Sequence, residues 1–397
     1  MDTVTCDITA LNYWRVPPVV QLLACSPAAD ARLARVLTDE DLDALSKSFA
    51  DTQKAFKLKH CGNAGRDYRA LMDVAPLLAL CGGAPFDILT TSKGELCASK
   101  LVRPRLWSFA LVPGSTRQVA EDLRVASPEF ALQQVAATSS LGRALMMATE
   151  LCGSYATYHT SAPLAGIIQR LCAAGQLPAI GGWSPCLDAD GKLTDLWARE
   201  PITTPGELLR QATMSDSARG RKKLERVAKL VVADAASPFE AKAGILLGLP
   251  CRYGGAGLGG LAHNQRIGLT PDAALIAERS ACFCDLYWPE GIDLECHSKA
   301  WHSRRDEQLS DFTRQAALEL MGIEVVPMTN DQLTSRRQFD AIARLVAGKL
   351  GREMRKKSDA ERRAEAKLRK EVLEFEWQVA PAGRPKKISG FKSGTGK

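Results

Sequence analysis

Residues 285–302 read Asp285-Leu-Tyr-Trp-Pro-Glu-Gly-Ile-Asp-Leu-Glu-Cys-His-Ser-Lys-Ala-Trp-His302, and this stretch decides the predicted fold of the C-terminal half. The apolar, cysteine-rich run just before it, Ala281-Cys-Phe-Cys284, predicts a strand that ends near Asp285. The Pro-Glu-Gly segment in its middle is typical of a turn. Residues 292–296 then alternate apolar and polar, as a second strand would. The stretch therefore predicts a β-hairpin.

This hairpin carries side chains suited to metal-assisted hydrolysis. Asp285 and Glu295 stand on neighbouring strands, where their carboxylates can converge on one hard cation, and oxygen ligands suit Mg²⁺. A Mg²⁺ or Mn²⁺ ion held in this way polarises a phosphate and activates water. His302 has the pKa range expected of a general base at neutral pH. We therefore expect phosphodiester hydrolysis, with Asp285 and Glu295 as metal ligands.

The spacing of these residues resembles that of the PD-(D/E)xK nuclease superfamily, in which Asp, a hairpin and Glu-x-Lys follow one another. Glu295-Cys-His297 stands where Glu-x-Lys would stand, with His replacing Lys. The pair His297 and His302, with Trp just before the second, is similar to very-short-patch repair endonucleases and related uncharacterised bacterial endonuclease-like domains. The resemblance gives His297 the task of orienting the phosphate or stabilising charge.

Flanking segments extend the resemblance over roughly residues 236–345. Asp311-Phe-Thr-Arg314 followed by Gly322-Ile-Glu-Val-Val326 is similar to the helix-strand unit after the active hairpin of those domains. Ser237-Pro-Phe-Glu240 resembles the first core helix, whose Glu assists the metal site. Two structural interpretations stay open: Ser237 and Glu240 also form a capping box, and Asp311 with Arg314 also fits an i,i+3 pair on a helix surface.

The chain departs from the family pattern in two respects. The repair enzymes usually lack a second carboxylate, whereas Glu295 is present here, and the charge of His297 depends on pH. Those enzymes also carry a structural zinc site, which cannot be assembled from Cys282, Cys284 and Cys296 on the predicted strands. Buried free thiols are expected instead.

Composition limits the class of protein. The chain has 397 residues, of which 46% are hydrophobic and 24% charged, and this length predicts two or three domains. No run of eighteen apolar residues exists, so we expect no membrane partner. The N-terminus lacks the basic-then-apolar order of a signal peptide. Twelve scattered cysteines without a CxxC pair favour a reduced, cytoplasmic protein.

Positive charge is concentrated in two places. Residues 351–397 hold fourteen Lys/Arg against seven Asp/Glu, an excess equal to the net charge of +7 of the whole chain. The pattern predicts a charged helix over 352–377 and a disordered tail, which would attract DNA phosphates by counterion release. A second cluster opens a helix-like segment after residue 219; a solvated helix face is its alternative. The residues predicted to contact nucleic acid are Arg384, Lys386 and Lys387 in the tail and Arg221, Lys222 and Lys223 in this cluster.

The N-terminal part is less informative. Alternation predicts strands over 86–89, 96–102 and 107–111, and Ser127-Pro128 starts a helix. This strand-then-helix order, over roughly residues 85–160, resembles part of the AbiEi-type antitoxins, which regulate phage-defence systems. The resemblance implies a regulatory role and a toxin or other protein partner.

The sequence thus predicts three parts: an α+β N-terminal module (1–230), an α/β restriction-endonuclease-like core with a mixed sheet flanked by helices (231–350), and a charged helix with a disordered basic tail (351–397). The expected function is that of a metal-dependent DNA endonuclease in DNA repair or phage defence. The alternatives are a catalytically inactive nuclease-like DNA-binding regulator or antitoxin, and a protein whose basic tail alone touches nucleic acid.

Overall fold

The chain forms a mixed α and β structure. The computed structural model describes residues 3–60, 75–96, 101–120, 123–297 and 305–377. In this part of the chain the strands are β1 (Thr3–Thr5), β2 (Phe86–Thr90), β3 (Val102–Leu106), β4 (Thr116–Ala120), β5 (Leu123–Ala126), β6 (Tyr155–Thr157), β7 (Ser184–Leu187), β8 (Leu193–Ala198), β9 (Ala262–Gly268), β10 (Ala281–Trp288), β11 (Ile292–His297) and β12 (Glu324–Thr329).

The helices surround three sheets. They are α1 (Asp7–Tyr13), α2 (Pro18–Cys25), α3 (Ala31–Ala34), α4 (Asp39–His60), α5 (Ala75–Leu80), α6 (Pro128–Thr138), α7 (Leu141–Leu151), α8 (Ala162–Ala173), α9 (Pro205–Met214), α10 (Arg221–Leu230), α11 (Pro238–Gly248), α12 (Pro271–Ala277), α13 (Arg305–Leu320), α14 (Asn330–Thr334), α15 (Arg336–Lys349) and α16 (Asp359–Leu373). None of the helices described is both long enough and apolar enough to cross a bilayer.

The N-terminal sheet has the strand order β3-β2-β1-β5-β4. The predicted strand at 86–89 is confirmed as β2. Of the strand expected over 96–102, residues 97–100 lie outside the described residues, Leu96 is not in a strand and Val102 begins β3. This strand is at the sheet edge, where Pro104 is tolerated because the N–H that it lacks is not needed for a further strand. Residues 107–111 form no strand, because Trp107 packs against Phe130 with ring centroids 4.9 Å apart.

Helix boundaries follow capping residues. Ser127 caps α6 by accepting the amide of Phe130, with Pro128 in the first turn, as predicted. The charged helix expected over 352–377 is shorter, since α16 begins at Asp359. Ser358 and Glu361 form a reciprocal capping box there, which sets the N-terminus of the helix.

The C-terminal sheet has the order β12-β11-β10-β9. Strands β9, β10 and β11 are antiparallel neighbours, and β12 pairs parallel to β11 after the crossover helix α13. The predicted hairpin, its turn and the helix-strand unit that follows are confirmed; β9 was not predicted. Apolar side chains of β10 and β11 face the cluster that contains α11, and a second cluster joins the sheet to α12 and α13.

The largest apolar cluster takes residues from each of the three predicted segments. Leu145 of α7, Leu286 of β10 and Val372 of α16 all belong to it and are fully buried. Helix α16 therefore packs into the main core instead of projecting from it. The predicted domain limits at residues 230 and 350 stay predictions.

Candidate active site

The hairpin opens at Asp285. Its ladder pairs Leu286 with Leu294, and at the next position the carboxylate Oδ2 of Asp285 accepts the amide of Cys296 at 2.8 Å. The side-chain alternation of β10 changes at the same point. Cys282 and Cys284 pack with α12 and α13, whereas Leu286 lies in the main core; strict alternation would put all three on one face.

The neighbouring strand β9 shows the same irregularity. Gln265 pairs with Cys284 and His263 pairs with Leu286, so Asn264 stands opposite Asp285. Asn264 has a φ of 50°, in the left-handed region that few residues adopt. The break in both strands directs the Asp285 side chain toward β11 and into a cleft.

The structure brings four predicted site residues into this cleft, which has a volume of about 980 Å³. We call it the carboxylate cleft. Its walls come from the start of α11, from β10 and β11, and from α13. The predicted residues that line it are Glu240, Asp285, Glu295 and His297.

Glu240 enters the cleft from the first turn of α11. Ser237 caps this helix by accepting the amide of Glu240 at 3.2 Å, which confirms half of the predicted capping box. The Glu240 carboxylate oxygen Oε2 accepts the amide of Ala236 at 2.7 Å, where a full capping box would have it accept the amide of Ser237. Hydrogen bonding from Ala236 and from the Ser237 side chain favours the ionised form of Glu240, but burial outweighs it.

Burial and mutual repulsion raise the pKa of two of the acids into the neutral range. Burial, followed by the charge of Asp285, raises the pKa of Glu240 to about 8. Burial, followed by the charge of Glu295, raises the pKa of Asp285 to about 7. Desolvation disfavours an ionised carboxylate, and a like charge nearby adds to that penalty. The cleft therefore holds more acid groups than it can ionise at neutral pH without a cation.

Glu295 is the carboxylate that stays charged. Arg314 of α13 donates to Glu295 Oε1 and, at 2.6 Å, to the carbonyl of Phe283. Burial opposes ionisation of Glu295, but the proton on Asp293 and the guanidinium of Arg314 outweigh it and lower the pKa of Glu295. The guanidinium of Arg314 turns into the cleft; the side chain of Asp311, its predicted partner, lies outside the described residues, so that pair stays a prediction.

Asp293 was missed by sequence reasoning. It lies two residues before Glu295 on the same face of β11, is fully buried, and has Oδ2 at 3.7 Å from Arg314 Nη2. The Asp293 carboxyl interacts with the side chains of Glu295 and Cys284. Burial raises the pKa of Asp293 to about 10, so it is a neutral acid at pH 7. The sequence signal that could have identified Asp293 is its Asp-x-Glu spacing to Glu295, which places both carboxylates on one face of a strand.

The free thiols are as predicted. Cys282 and Cys284 are buried and unbridged, and Cys296 is half-buried. Among the described residues, no three His, Cys, Asp or Glu side chains are grouped in a way that would hold a metal ion.

The predicted nucleic-acid contacts lie elsewhere. Arg221, Lys222 and Lys223 line a separate depression of about 350 Å³ at the start of α10. Burial, with repulsion from Arg226 and Lys367, lowers the pKa of Lys223, which reflects the concentration of positive charge there. The general base expected at residue 302 and the tail residues expected at 384, 386 and 387 lie outside the described residues.

Comparison with known proteins identifies no family. No protein-family model matches the chain, and no curated protein or solved structure is significantly similar to it.

Proposed function

We propose that the protein is a metal-dependent endonuclease that hydrolyses phosphodiester bonds in DNA. The observation that carries the proposal is that Glu240, Asp285 and Glu295, from a helix and two strands, line one cleft, although no three of the described acids are already grouped as a metal site. Repulsion among buried carboxylates is the arrangement that a divalent cation relieves, because its charge lets them ionise together.

The donor chemistry fits Mg²⁺ or Mn²⁺. Asp285 and Glu240 offer carboxylate oxygens, the ligand type that Mg²⁺ prefers. In the structure, Arg314 neutralises Glu295, so Glu240 takes a larger share of the site than the sequence predicted. When bound, the cation would polarise the scissile phosphate and acidify a water molecule.

The side chains around the acids have distinct proposed roles. Arg314 carries a permanent charge beside the cleft and would stabilise the negative charge that develops on the phosphate. Glu295 and the carbonyl of Phe283 hold its guanidinium in place. His297 lines the same cleft, where it would orient the phosphate. His302 remains the proposed general base on the basis of its position in the sequence.

The architecture supports the likeness to restriction-endonuclease-like cores. Helix α11, the β9–β11 meander, the crossover helix α13 and the parallel strand β12 make a mixed sheet flanked by helices. Two of the three acids of the cleft, Asp285 and Glu295, stand on the hairpin, as in the PD-(D/E)xK pattern, and Glu240 stands on α11. DNA as the polymer is supported by the basic cluster on α10 and by the basic tail, since both attract phosphate regardless of sequence.

The decisive experiment is plasmid nicking by purified protein. Supercoiled DNA with Mg²⁺ or Mn²⁺ should be nicked by the wild type, and Asp285→Asn should lose more than about a hundredfold of the rate. Asp272→Asn, an exposed acid on α12, is the matched control and should cut as the wild type does. Equal rates for wild type and Asp285→Asn would overturn the proposal.

A second candidate is a catalytically inactive nuclease-like regulator or antitoxin that binds DNA. The observation that favours it is Arg314, which already occupies the carboxylate of one of the two predicted ligands. Titration with Mn²⁺ separates the two candidates. An endonuclease should bind the ion more weakly as Glu295→Gln, whereas a regulator should show no difference between wild type and variant and should bind its DNA in EDTA.

A further inference from the structure

A second cavity adjoins the carboxylate cleft. It has a volume of about 740 Å³ and lies between α7, the segment after β6, the start of α11 and the residues that follow α16. Pro238 and Lys242 line both cavities. These two residues are one helical turn apart, about 6 Å along the axis, and Glu240 lies between them. A molecule in the second cavity therefore sits within one helical turn of Glu240 and shares a wall with the carboxylate cleft.

The walls of this cavity are mainly apolar and aromatic, with polar groups at its rim. Apolar walls with a few polar groups are typical of cavities that bind small organic groups, and the volume lies within their usual range of roughly 300–1,000 Å³. The rim carries Lys242, Ser161 and the pair His159–Asp195, with Nδ1 of the histidine 3.1 Å from the carboxylate. The aromatic side chains that line the cavity are Tyr155, Tyr158, Phe375 and Trp377.

The aromatic wall after α16 is held firmly. Trp377 Nε1 donates to Glu150 Oε2 at 2.6 Å, and the guanidinium carbon of Arg15 lies 3.8 Å from the centroid of a Trp377 ring. Arg15 and Glu150 form a buried ion pair at 2.7 Å. Arg15 covers one face of the indole, and the Phe375 ring packs edge-on against it with centroids 5.6 Å apart, so Trp377 is held in one orientation in the cavity wall.

We propose that this cavity takes up an unpaired nucleobase, so that the substrate is a DNA strand with an extrahelical or terminal nucleotide. Aromatic walls stack on the flat face of any base, and an unpaired or mismatched base costs least to move out of the helix. Lys242 stands between the two cavities, where its ammonium would meet the phosphate of the same nucleotide. The inference rests on the proposed function, because it places the adjoining phosphodiester at the carboxylates.

The first test is a titration of the full chain with deoxyadenosine monophosphate in EDTA, where no hydrolysis takes place. We expect one site per chain and at least about tenfold weaker binding of deoxyribose 5-phosphate, which lacks the base. Trp377→Ala should weaken nucleotide binding by about tenfold or more, whereas Phe109→Ala, an exposed aromatic residue far along the chain, should not. Equal binding of nucleotide and sugar phosphate would overturn the inference, and so would binding of decanoate in place of the nucleotide.

Ser161→Trp provides a second variant in case Trp377→Ala does not fold. Ser161 is exposed at the rim and makes no capping hydrogen bond, so a bulky side chain there blocks the entrance without disturbing the core. Nucleotide binding that survives in Ser161→Trp contradicts the inference.

Cleavage assays separate this inference from the proposed function. If fully paired and mismatched duplexes are cut at the same rate by wild type and Ser161→Trp, the inference fails and the endonuclease stands. If nothing is cut but the nucleotide still binds in EDTA and Ser161→Trp abolishes that binding, the base pocket stands and the endonuclease fails.

Discussion

Glu240→Gln tests whether the carboxylate cleft holds this side chain as a neutral acid. Burial and the charge of Asp285 raise the pKa of Glu240 from 4.5 to about 8. The Glu240 carboxyl therefore loses its proton near pH 4.5 in the unfolded chain, but only near pH 8 in the folded chain. The free energy of unfolding should fall as the pH rises through this window, by about 1.4 kcal/mol per pH unit from this group.

The variant carries no such titration. We therefore compare the unfolding free energy of Glu240→Gln with that of the wild type at each pH. From about pH 5.5 to about pH 7.5, the variant should gain about 2 to 3 kcal/mol relative to the wild type. Urea unfolding followed by tryptophan fluorescence, in EDTA at several pH values, measures it. Glu319→Gln on the exposed side of α13 is the matched control. Parallel pH dependences of wild type and Glu240→Gln would refute the reasoning.

Three further predictions concern packing, charge and the tail. In Gly244→Ala, the new Cβ would lie 2.4 Å from His263 Nε2, so the free energy of unfolding in urea should fall by about 1–3 kcal/mol. The control Gly348→Ala, whose new Cβ would have nothing within 4 Å, should lose no stability. Arg314→Met leaves the buried Glu295 carboxylate without its cation and should lower the unfolding free energy by about 3 kcal/mol or more. Arg314→Lys keeps the positive charge and should lose less. An equal loss in both variants would show that charge is not the cause. Deletion of residues 378–397 removes five Lys/Arg. In fluorescence anisotropy titrations, the plot of log binding constant for DNA against log salt concentration should then have a slope shallower by up to about 4. An unchanged slope would show that the tail makes no phosphate contacts.

Local sequence signals predicted the elements that carry the site. The hairpin from Ala281 to His297 follows from an apolar run before a Pro-Glu-Gly turn and from alternation after it. Ser237 fixed the start of α11 because its hydroxyl accepts an amide one turn on. The same kind of signal located the cap at Ser127. These interactions join residues within a few positions of one another, so the printed chain is enough to find them.

Predictions that depended on a distant partner were less successful. The strand expected over 107–111 is absent: the amide of Trp107 still donates to Thr90 of β2, but the Trp107 ring packs against Phe130 of α6 and no strand continues beyond it. Strand β9 has no clear alternation, and its pairing with β10 gives it its structure. Periodicity describes which side of a segment is apolar, and says nothing about which segment will cover it.

The sequence by itself determined that two acids stand on a hairpin and that a third opens a helix. Only the tertiary structure decided that Glu240 meets Asp285, and that Arg314, 19 residues beyond Glu295, turns inward to neutralise it. It also decided that a second cavity opens beside them, between α7 and the segment that ends at Trp377. The physical reason is range: turns and caps are set by neighbouring residues, whereas burial, which shifts the pKa of each acid in the cleft, is set by segments far apart in the chain.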